Sequence, residues 1–150
     1  MSDFIIDQRL QADSNLLGQL PLSQVRLMNN ALFPWLILVP CVTQYEIHQL
    51  ERQQQIQLLD EITAISRFLE DHFNIDKINV GAIGNIVRQL HVHIVGRSEN
   101  DYCWPNVVWG VEERKPYTQQ QIRVIADQLA IHLNLQEKLG RGSNLGFSRK

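Results

Sequence analysis

The chain has 150 residues, of which 44% are hydrophobic, and its formal net charge is −2 at pH 7. This length and composition predict a single domain, residues 1–150, with a hydrophobic core. The slight negative charge and the lack of any lysine- or arginine-rich block argue against a protein that binds nucleic acid polymers, because such domains carry a basic surface.

The first residues and the apolar runs predict a cytoplasmic protein with no membrane partner. Met1–Phe4 lacks the basic segment and long apolar stretch of a signal peptide. The longest apolar run, Trp35–Val39, is too short to cross a bilayer. Cys41 and Cys103 lie far apart and form no CxxC motif, so we expect reduced thiols rather than a disulfide framework.

The first forty residues predict a short helix and a hairpin. Residues 4–20 mix leucines with polar side chains, which favours a short helix. Gln24–Met28 is predicted to be a strand, and an asparagine turn at residues 29–32 leads into a second strand, Phe33–Pro40. The unbroken apolar run of the second strand indicates burial on both faces. Together the two strands form an antiparallel hairpin.

A long amphipathic helix follows the hairpin. Thr43–Glu46 has the form of a capping box, which we expect at the start of the helix. Apolar residues then recur every three or four positions and define a buried face, which Leu58 and Phe68 widen. The predicted stripe consists of Ile56, Leu59, Ile62, Ile65, Leu69 and Phe73.

Two alternating segments after this helix predict a second pair of strands. Lys77–Ala82 is the first, Gly84 and Asn85 form the turn, and Gln89–Arg97 is the second. Strands interrupted by one long helix favour an α+β fold over a doubly wound parallel sheet. We therefore expect an antiparallel sheet of about five strands with the long helix on one face.

An irregular segment and a C-terminal helix end the chain. Residues 98–116 are rich in aromatic side chains and follow no regular period. Thr118–Gln121 has the form of a second capping box. The helix that it begins is predicted to bury Ile122, Ile125, Leu129 and Leu133. We expect residues 140–150 to be a loose tail.

The last predicted strand carries a row of polar side chains. Successive side chains of a strand point to opposite faces. Gln89, His91 and His93 therefore share one face, with neighbours about 7 Å apart. Two imidazoles on one rigid element can contact an anionic substrate together.

The residues leave three uses for His91 and His93 open. The first is a structural use, in which each ring only makes hydrogen bonds. The second is a metal site, which needs a third ligand, and the other histidines, His48, His72 and His132, all fall on predicted helices. The third is nucleophilic attack of a neutral imidazole on phosphorus, with a covalent intermediate. Phosphorus chemistry is the better fit.

Four segments in order resemble the histidine triad (HIT) family, whose signature is His-φ-His-φ-His-φ-φ with φ apolar. Residues 89–95, Gln-Leu-His-Val-His-Ile-Val, resemble this signature with Gln89 in the first histidine position. Residues 33–40 resemble the family's strand His-φ-Leu-Val-φ-Pro, and residues 79–87 resemble its Asn-x-Gly-x-x-x-Gly-Gln-x-Val segment, one residue shorter. The tryptophans at 104 and 109 fall in a region that varies between family branches. The resemblance implies a HIT-like fold.

The resemblance also implies a role for each matching residue. His91 matches the middle histidine, which attacks the α-phosphorus and transiently carries the nucleotide. His93 matches the third histidine, which contacts phosphate oxygens, and Asn85 matches a glutamine that donates to phosphate. Asn29 is placed where the family holds the ribose hydroxyls, and Leu27 would then flank the base.

Three positions depart from the family pattern. Trp35 and Gln89 stand where the family usually has histidines. A glutamine can donate to phosphate but cannot exchange a proton near neutral pH, so we expect slower turnover or another proton donor. Ile86 replaces a serine or threonine and removes one further phosphate contact.

The function implied by the resemblance is a nucleotide hydrolase or transferase. It would act at the α-phosphate of a dinucleoside polyphosphate or nucleoside phosphoramidate, through a nucleotidyl intermediate on His91. It implies no cofactor, although Mg²⁺ can arrive with a polyphosphate, and it implies a homodimer in which two sheets join. The alternative is a non-catalytic nucleotide-binding module, favoured by the missing first histidine.

Overall fold

In the computed structural model, which describes residues 3–138, five strands form one antiparallel sheet. The strands are β1 (Ser14–Gln19), β2 (Ser23–Met28), β3 (Trp35–Pro40), β4 (Lys77–Gly81) and β5 (Val92–Arg97). They lie in the order β1-β2-β3-β5-β4. Strands β3 and β5 are therefore neighbours inside the sheet, and β4 is an edge.

Three α-helices accompany the sheet within these residues: α1 (Gln8–Asp13), α2 (Arg52–His72) and α3 (Gln119–Lys138). The predicted α+β class, with one long helix and a C-terminal helix on an antiparallel sheet, is confirmed. The predicted capping box of α3 is also confirmed. The Thr118 backbone N–H donates to Gln121 Oε1 at 2.8 Å, and the Gln121 N–H donates to Thr118 Oγ1 at 3.1 Å.

Strand β1 is missing from the sequence-based prediction, which placed only a short helix in residues 4–20. That helix is α1, and the Asp7 carboxylate caps it by accepting the Arg9 backbone N–H at 2.8 Å. Strand β1 pairs with β2 across an irregularity between Leu16 and Gly18. Such a bulge interrupts the alternation by which a strand is recognised in a sequence.

Helix α2 begins later than predicted. The Glu51 and Gln54 side chains form its capping box. The predicted box at Thr43–Glu46 is wrong, because a 3-10 turn, Ile47–Gln49, lies between that segment and the helix.

The predicted buried face of α2 is wrong in the first half of the helix. Ile56 is 42% exposed and Leu59 is 63% exposed. The buried positions are Leu58, Glu61, Ala64, Ile65, Phe68 and Leu69. The predicted face contains apolar residues alone and therefore omits Glu61. Because Glu61 is buried, the observed buried face is rotated about the helix axis relative to the predicted one.

The sheet is covered on both faces, as the apolar run of β3 predicts. Leu36 and Leu38 point to the face on which α2 and α3 pack, here called the helix face. Trp35 and Ile37 point to the opposite face, here called the histidine face, and pack with Leu10 of α1. The two layers arise from the two-residue period of a strand.

Three further expectations concern the membrane, the thiols and the C-terminus. Among the helices of residues 3–138, none has both the length and the apolar character needed to cross a bilayer. Cys41 and Cys103 form no disulfide. The expected tail at 140–150 lies outside the described residues.

Glu61 joins α2 to the turn between β1 and β2. It is fully buried, and its Oε2 accepts the Leu22 backbone N–H at 2.8 Å and the Gln57 Nε2–H at 3.0 Å. Burial raises the pKa of the Glu61 carboxyl above its usual range, because a charge in the core loses its hydration. Its two hydrogen bonds oppose this shift without cancelling it.

Replacing Glu61 with glutamine should change how stability depends on pH. Since the folded-state pKa is raised, the stabilising contribution of Glu61 is complete below its unfolded pKa and declines as the pH rises through the folded one. Glu61→Gln keeps an oxygen acceptor but cannot ionise. Chemical denaturation from pH 4 to 8 should therefore find the variant gaining stability relative to wild type as the pH rises. Glu70→Gln removes an exposed carboxyl of α2 and is the control; a pH-independent difference for Glu61→Gln would contradict the expectation.

Candidate functional site

His91 and His93 lie side by side where β5 begins. Their ring centroids are 4.9 Å apart with the planes at 73°, and each residue is only 6% exposed. His93 lies opposite Ile37 of β3 and Gly81 of β4. Both flanking strands therefore hold it inside the sheet, on the histidine face. The structure brings together the two imidazoles that the sequence pairs.

The protonation of the His91 ring follows from one hydrogen bond. Its Nδ1 lies 2.7 Å from the Gln89 carbonyl oxygen. A carbonyl only accepts, so Nδ1 carries the proton and donates. The lone pair of the neutral ring is then on Nε2, which no described residue hydrogen-bonds. This nitrogen is the nucleophilic atom of the ring.

His93 has the opposite tautomer. The Trp35 indole Nε1–H donates to His93 Nδ1 at 3.0 Å, and an indole cannot accept. The lone pair of His93 is therefore on Nδ1 and its proton on Nε2. Burial, and secondarily the neighbouring His91, lowers the pKa of His93 to about 4. With both rings neutral, the pair combines a nucleophilic Nε2 on His91 with an Nε2–H donor on His93.

Two tryptophans enclose the His93 ring. The centroids of Trp35 and Trp109 each lie 5.6 Å from it, at 63° and 72°. Gly81, directly across the ladder from His93, makes this approach possible: a Cβ there would meet the Trp109 ring at 3.1 Å. The enclosure removes water from His93 and so accounts for its low pKa.

Gln89 does not join the two histidines as predicted. Its Oε1 accepts the Asp7 backbone N–H at 2.8 Å, and its Nε2 donates to the Ile5 carbonyl at 2.9 Å. Strand β5 begins only at Val92, so Gln89 lies outside the strand and does not continue the predicted polar row. Both ends of its amide hold the N-terminal segment, and its donation to phosphate stays a prediction.

A groove of about 1110 Å³ lies beside this contact. Its walls come from residues 3–9, residues 41–45 and the loop before β5, where the Arg88 guanidinium stacks 4.4 Å from the Tyr45 ring centroid. Neither histidine lines the groove. Gln89 belongs to both the groove and the histidine pair. It lines the groove, and its backbone carbonyl accepts the hydrogen bond from His91 Nδ1.

Comparison with known proteins decides the family. The model of the HIT domain matches residues 9–100, well over half of the chain. This chain belongs to the HIT domain family. No curated protein matches it.

Solved HIT proteins share the whole architecture. A histidine triad protein of Sinorhizobium meliloti 1021 is 40% identical, with a TM-score of 0.85, over 89% of this chain and 99% of that one. One from Marinobacter aquaeolei VT8 is 41% identical, with a TM-score of 0.83, over 88% and 97%. A histidine triad nucleotide-binding protein of Sulfolobus tokodaii strain7, 16% identical over 88% and 92% with a TM-score of 0.65, is similar in fold alone. The predicted HIT-like fold is confirmed.

The residues that the HIT resemblance assigns to the nucleotide do not all lie where that role requires. Leu27 is fully buried on the helix face, so the prediction that it flanks a base is wrong. Asn29 Oδ1 accepts the Tyr117 backbone N–H at 3.0 Å, and its ribose role stays a prediction. Asn30, the next residue of the turn, is buried, and its Oδ1 accepts the Lys115 N–H at 3.2 Å. Asn85 is exposed after Gly84, and its phosphate role also stays a prediction.

The functional feature that the sequence did not reveal is the partner of His93. The sequence marks Trp35 only as a departure from the HIT pattern. Its contact with His93 depends on the pairing of β3 with β5, which joins positions 58 residues apart. The shared apolar–polar alternation of the two strands is the one signal that could have suggested this pairing.

Removing the Gln89 side chain should release the N-terminal segment and leave the fold intact. Gln89→Ala loses both bonds to that segment but keeps the backbone carbonyl that holds His91. We expect faster hydrogen exchange at the Asp7 amide and a loss of stability of about 1–2 kcal/mol. Arg88→Ala, which alters the same groove without touching the segment's hydrogen bonds, is the control. Unchanged protection of the Asp7 amide would contradict this view.

The buried His93 should make the protein sensitive to acid. Because its folded-state pKa of about 4 lies below the ordinary 6.5, its contribution to stability is complete above pH 6.5 and is lost as the pH falls toward 4. The loss is on the order of 3 kcal/mol. His93→Gln retains an acceptor for the Trp35 N–H and does not titrate, so denaturation curves between pH 7 and 4 should be flatter for the variant. Parallel curves would count against a buried neutral His93.

Proposed function

We propose that this HIT protein is a nucleotide hydrolase or transferase that forms a nucleotidyl intermediate on His91. The supporting observation is the pair of complementary tautomers, which provides a nucleophile and a hydrogen-bond donor on adjacent rings. The substrate class is a nucleoside monophosphate joined through its α-phosphate to a leaving group, as in a dinucleoside polyphosphate or a nucleoside phosphoramidate.

In the proposed first step the His91 Nε2 lone pair attacks the α-phosphorus. A P–N bond forms, the bond from phosphorus to the leaving group breaks, and the leaving group keeps that electron pair. The hydrogen bond from Nδ1–H to the Gln89 carbonyl stabilises the positive charge that the ring acquires. His93 donates from Nε2 to a non-bridging oxygen, where negative charge develops.

In the second step water attacks the same phosphorus and the P–N bond breaks. The nucleoside monophosphate leaves, the water proton passes to solvent, and His91 returns to its starting tautomer. Transfer to another acceptor would follow the same course with that acceptor in place of water.

The leaving group must depart without a proton from Gln89, because an amide does not titrate. A polyphosphate leaves readily as an anion, whereas an amine must be protonated. This difference favours a dinucleoside polyphosphate over a phosphoramidate. We assign no cofactor to the chain, although such a polyphosphate can bring Mg²⁺ with it.

The proposal includes a homodimer, which the edge of the sheet supports. Val80 of the edge strand β4 is 49% exposed, and Ile83 and Ile86 in the following loop are 46% and 80% exposed. Apolar side chains at an unpaired strand edge favour association with a second chain.

A second candidate function is nucleotide binding without turnover. Two observations favour it: each histidine is only 6% exposed, and Gln89 cannot serve as a proton donor. Covalent labelling distinguishes the two functions, since only an enzyme of the proposed type transfers the nucleotide to the protein.

The deciding experiment uses a dinucleoside polyphosphate radiolabelled at the α-phosphate. Wild type should become labelled on His91, located by peptide mass spectrometry. His91→Ala should lose labelling and turnover while its nucleotide affinity stays within about tenfold, or 1.4 kcal/mol. His48→Ala, which removes an exposed histidine of the 3-10 turn, is the control and should label like wild type. Affinity without label in wild type would establish the binding module, and unchanged turnover in His91→Ala would remove the nucleophile assignment.

A further inference from the structure

The pairing of β3 with β5 brings one indole N–H to the inner nitrogen of His93. Trp35 pairs with Val95 and Ile37 with His93, so Trp35 and His93 are diagonal neighbours on the histidine face. Their Nε1 and Nδ1 atoms are 3.0 Å apart. Trp35 is 7% exposed and His93 6%, so little water competes for this bond.

This bond permits one protonation state of His93. A proton on Nδ1 would face the indole N–H and leave two buried donors without acceptors. Both the Nδ1–H tautomer and the imidazolium have that defect. The Nε2–H tautomer alone satisfies the pair, and it directs the only N–H of His93 away from Trp35.

We propose that Trp35 is a positioning residue that locks His93 as a neutral Nε2–H donor for the substrate phosphate. This inference rests on the proposed function for its chemical consequence, but the lock itself exists without substrate. An imidazole at position 35 could donate or accept according to its protonation, whereas an indole only donates.

Trp109 provides an internal comparison. Its ring centroid lies as far from His93 as that of Trp35, at 5.6 Å, and 6.4 Å from the Trp35 centroid, so it excludes water from a neighbouring side of the ring. Its Nε1 is buried and has no hydrogen-bond partner among residues 3–138. Trp109 therefore contributes to the burial of His93 but not to the choice of tautomer.

The charged and titratable groups near His93 do not account for its tautomer, which Trp35 sets. On β5, His91 is in ring contact, and Arg97 is bound to Asp101 at 2.7 Å. On β2, Arg26 lies across Ile37 and donates to Ser14 Oγ at 2.7 Å. The flanking positions Ile37 of β3 and Gly81 of β4 carry no titratable group.

The test measures the ring nitrogens of His93 directly, by two-bond proton–nitrogen correlation spectra of ¹⁵N-labelled protein without substrate. Wild type should give the Nε2–H pattern for His93 and the Nδ1–H pattern for His91. Trp35→Phe keeps an aromatic ring in the core and removes the N–H, so His93 should become a mixture of tautomers with a higher titration midpoint. Trp109→Phe, the matched control, should keep the Nε2–H pattern.

Kinetics provide the second readout. With a dinucleoside polyphosphate, Trp35→Phe should lower kcat about tenfold with KM nearly unchanged, because a donor is misplaced in the transition state. Trp109→Phe should keep a kcat closer to wild type. An intact tautomer in Trp35→Phe would overturn the positioning role, and so would an Nδ1–H pattern for His93 in wild type, which needs no variant to fold. If the NMR spectra show the fixed Nε2–H tautomer of His93 but the protein never forms a nucleotidyl intermediate, the positioning role of Trp35 is supported and only the proposed function is refuted.

Discussion

The pairing of β3 with β5 is the constraint on which the rest of the site depends. It places Ile37 opposite His93 and so brings Trp35 against the ring from the diagonal position. The same pairing directs Leu36 and Leu38 into the helix-covered core. One register therefore fixes both the packing of the sheet and the protonation of a site residue, and a slip of one position would exchange the two faces.

Two buried ionisable groups lie on opposite faces of this sheet, and their effects on stability have opposite signs. Burial lowers the pKa of His93 to about 4 and raises that of Glu61. As the pH falls from neutrality, the first change weakens the fold while the second strengthens it. The protein keeps an uncharged imidazole in a dry site, and Glu61 offsets part of the resulting acid sensitivity.

The sequence predicts the parts of the fold that repeat locally, and fails where a distant contact decides. The alternation of β5 and the capping box at Thr118 are local, and both elements form. The bulge in β1 hides its alternation. Glu61 is placed in the core by the Leu22 backbone, 39 residues away. Leu27 is expected to flank the base, but it packs in the core of the helix face.

Gln89 shows why a substituted site position can acquire a different use. A histidine there could exchange protons; the glutamine instead binds the backbone at Ile5 and Asp7 through both ends of its amide. Its carbonyl still holds Nδ1 of His91, which is the part of the arrangement that depends on the backbone alone. Leu90, 4% exposed, packs in the core of the helix face between Gln89 and His91. Gln89 therefore has two separate roles: its side chain holds the N-terminal segment, and its backbone carbonyl orients the nucleophile, so the first can change while the second is kept.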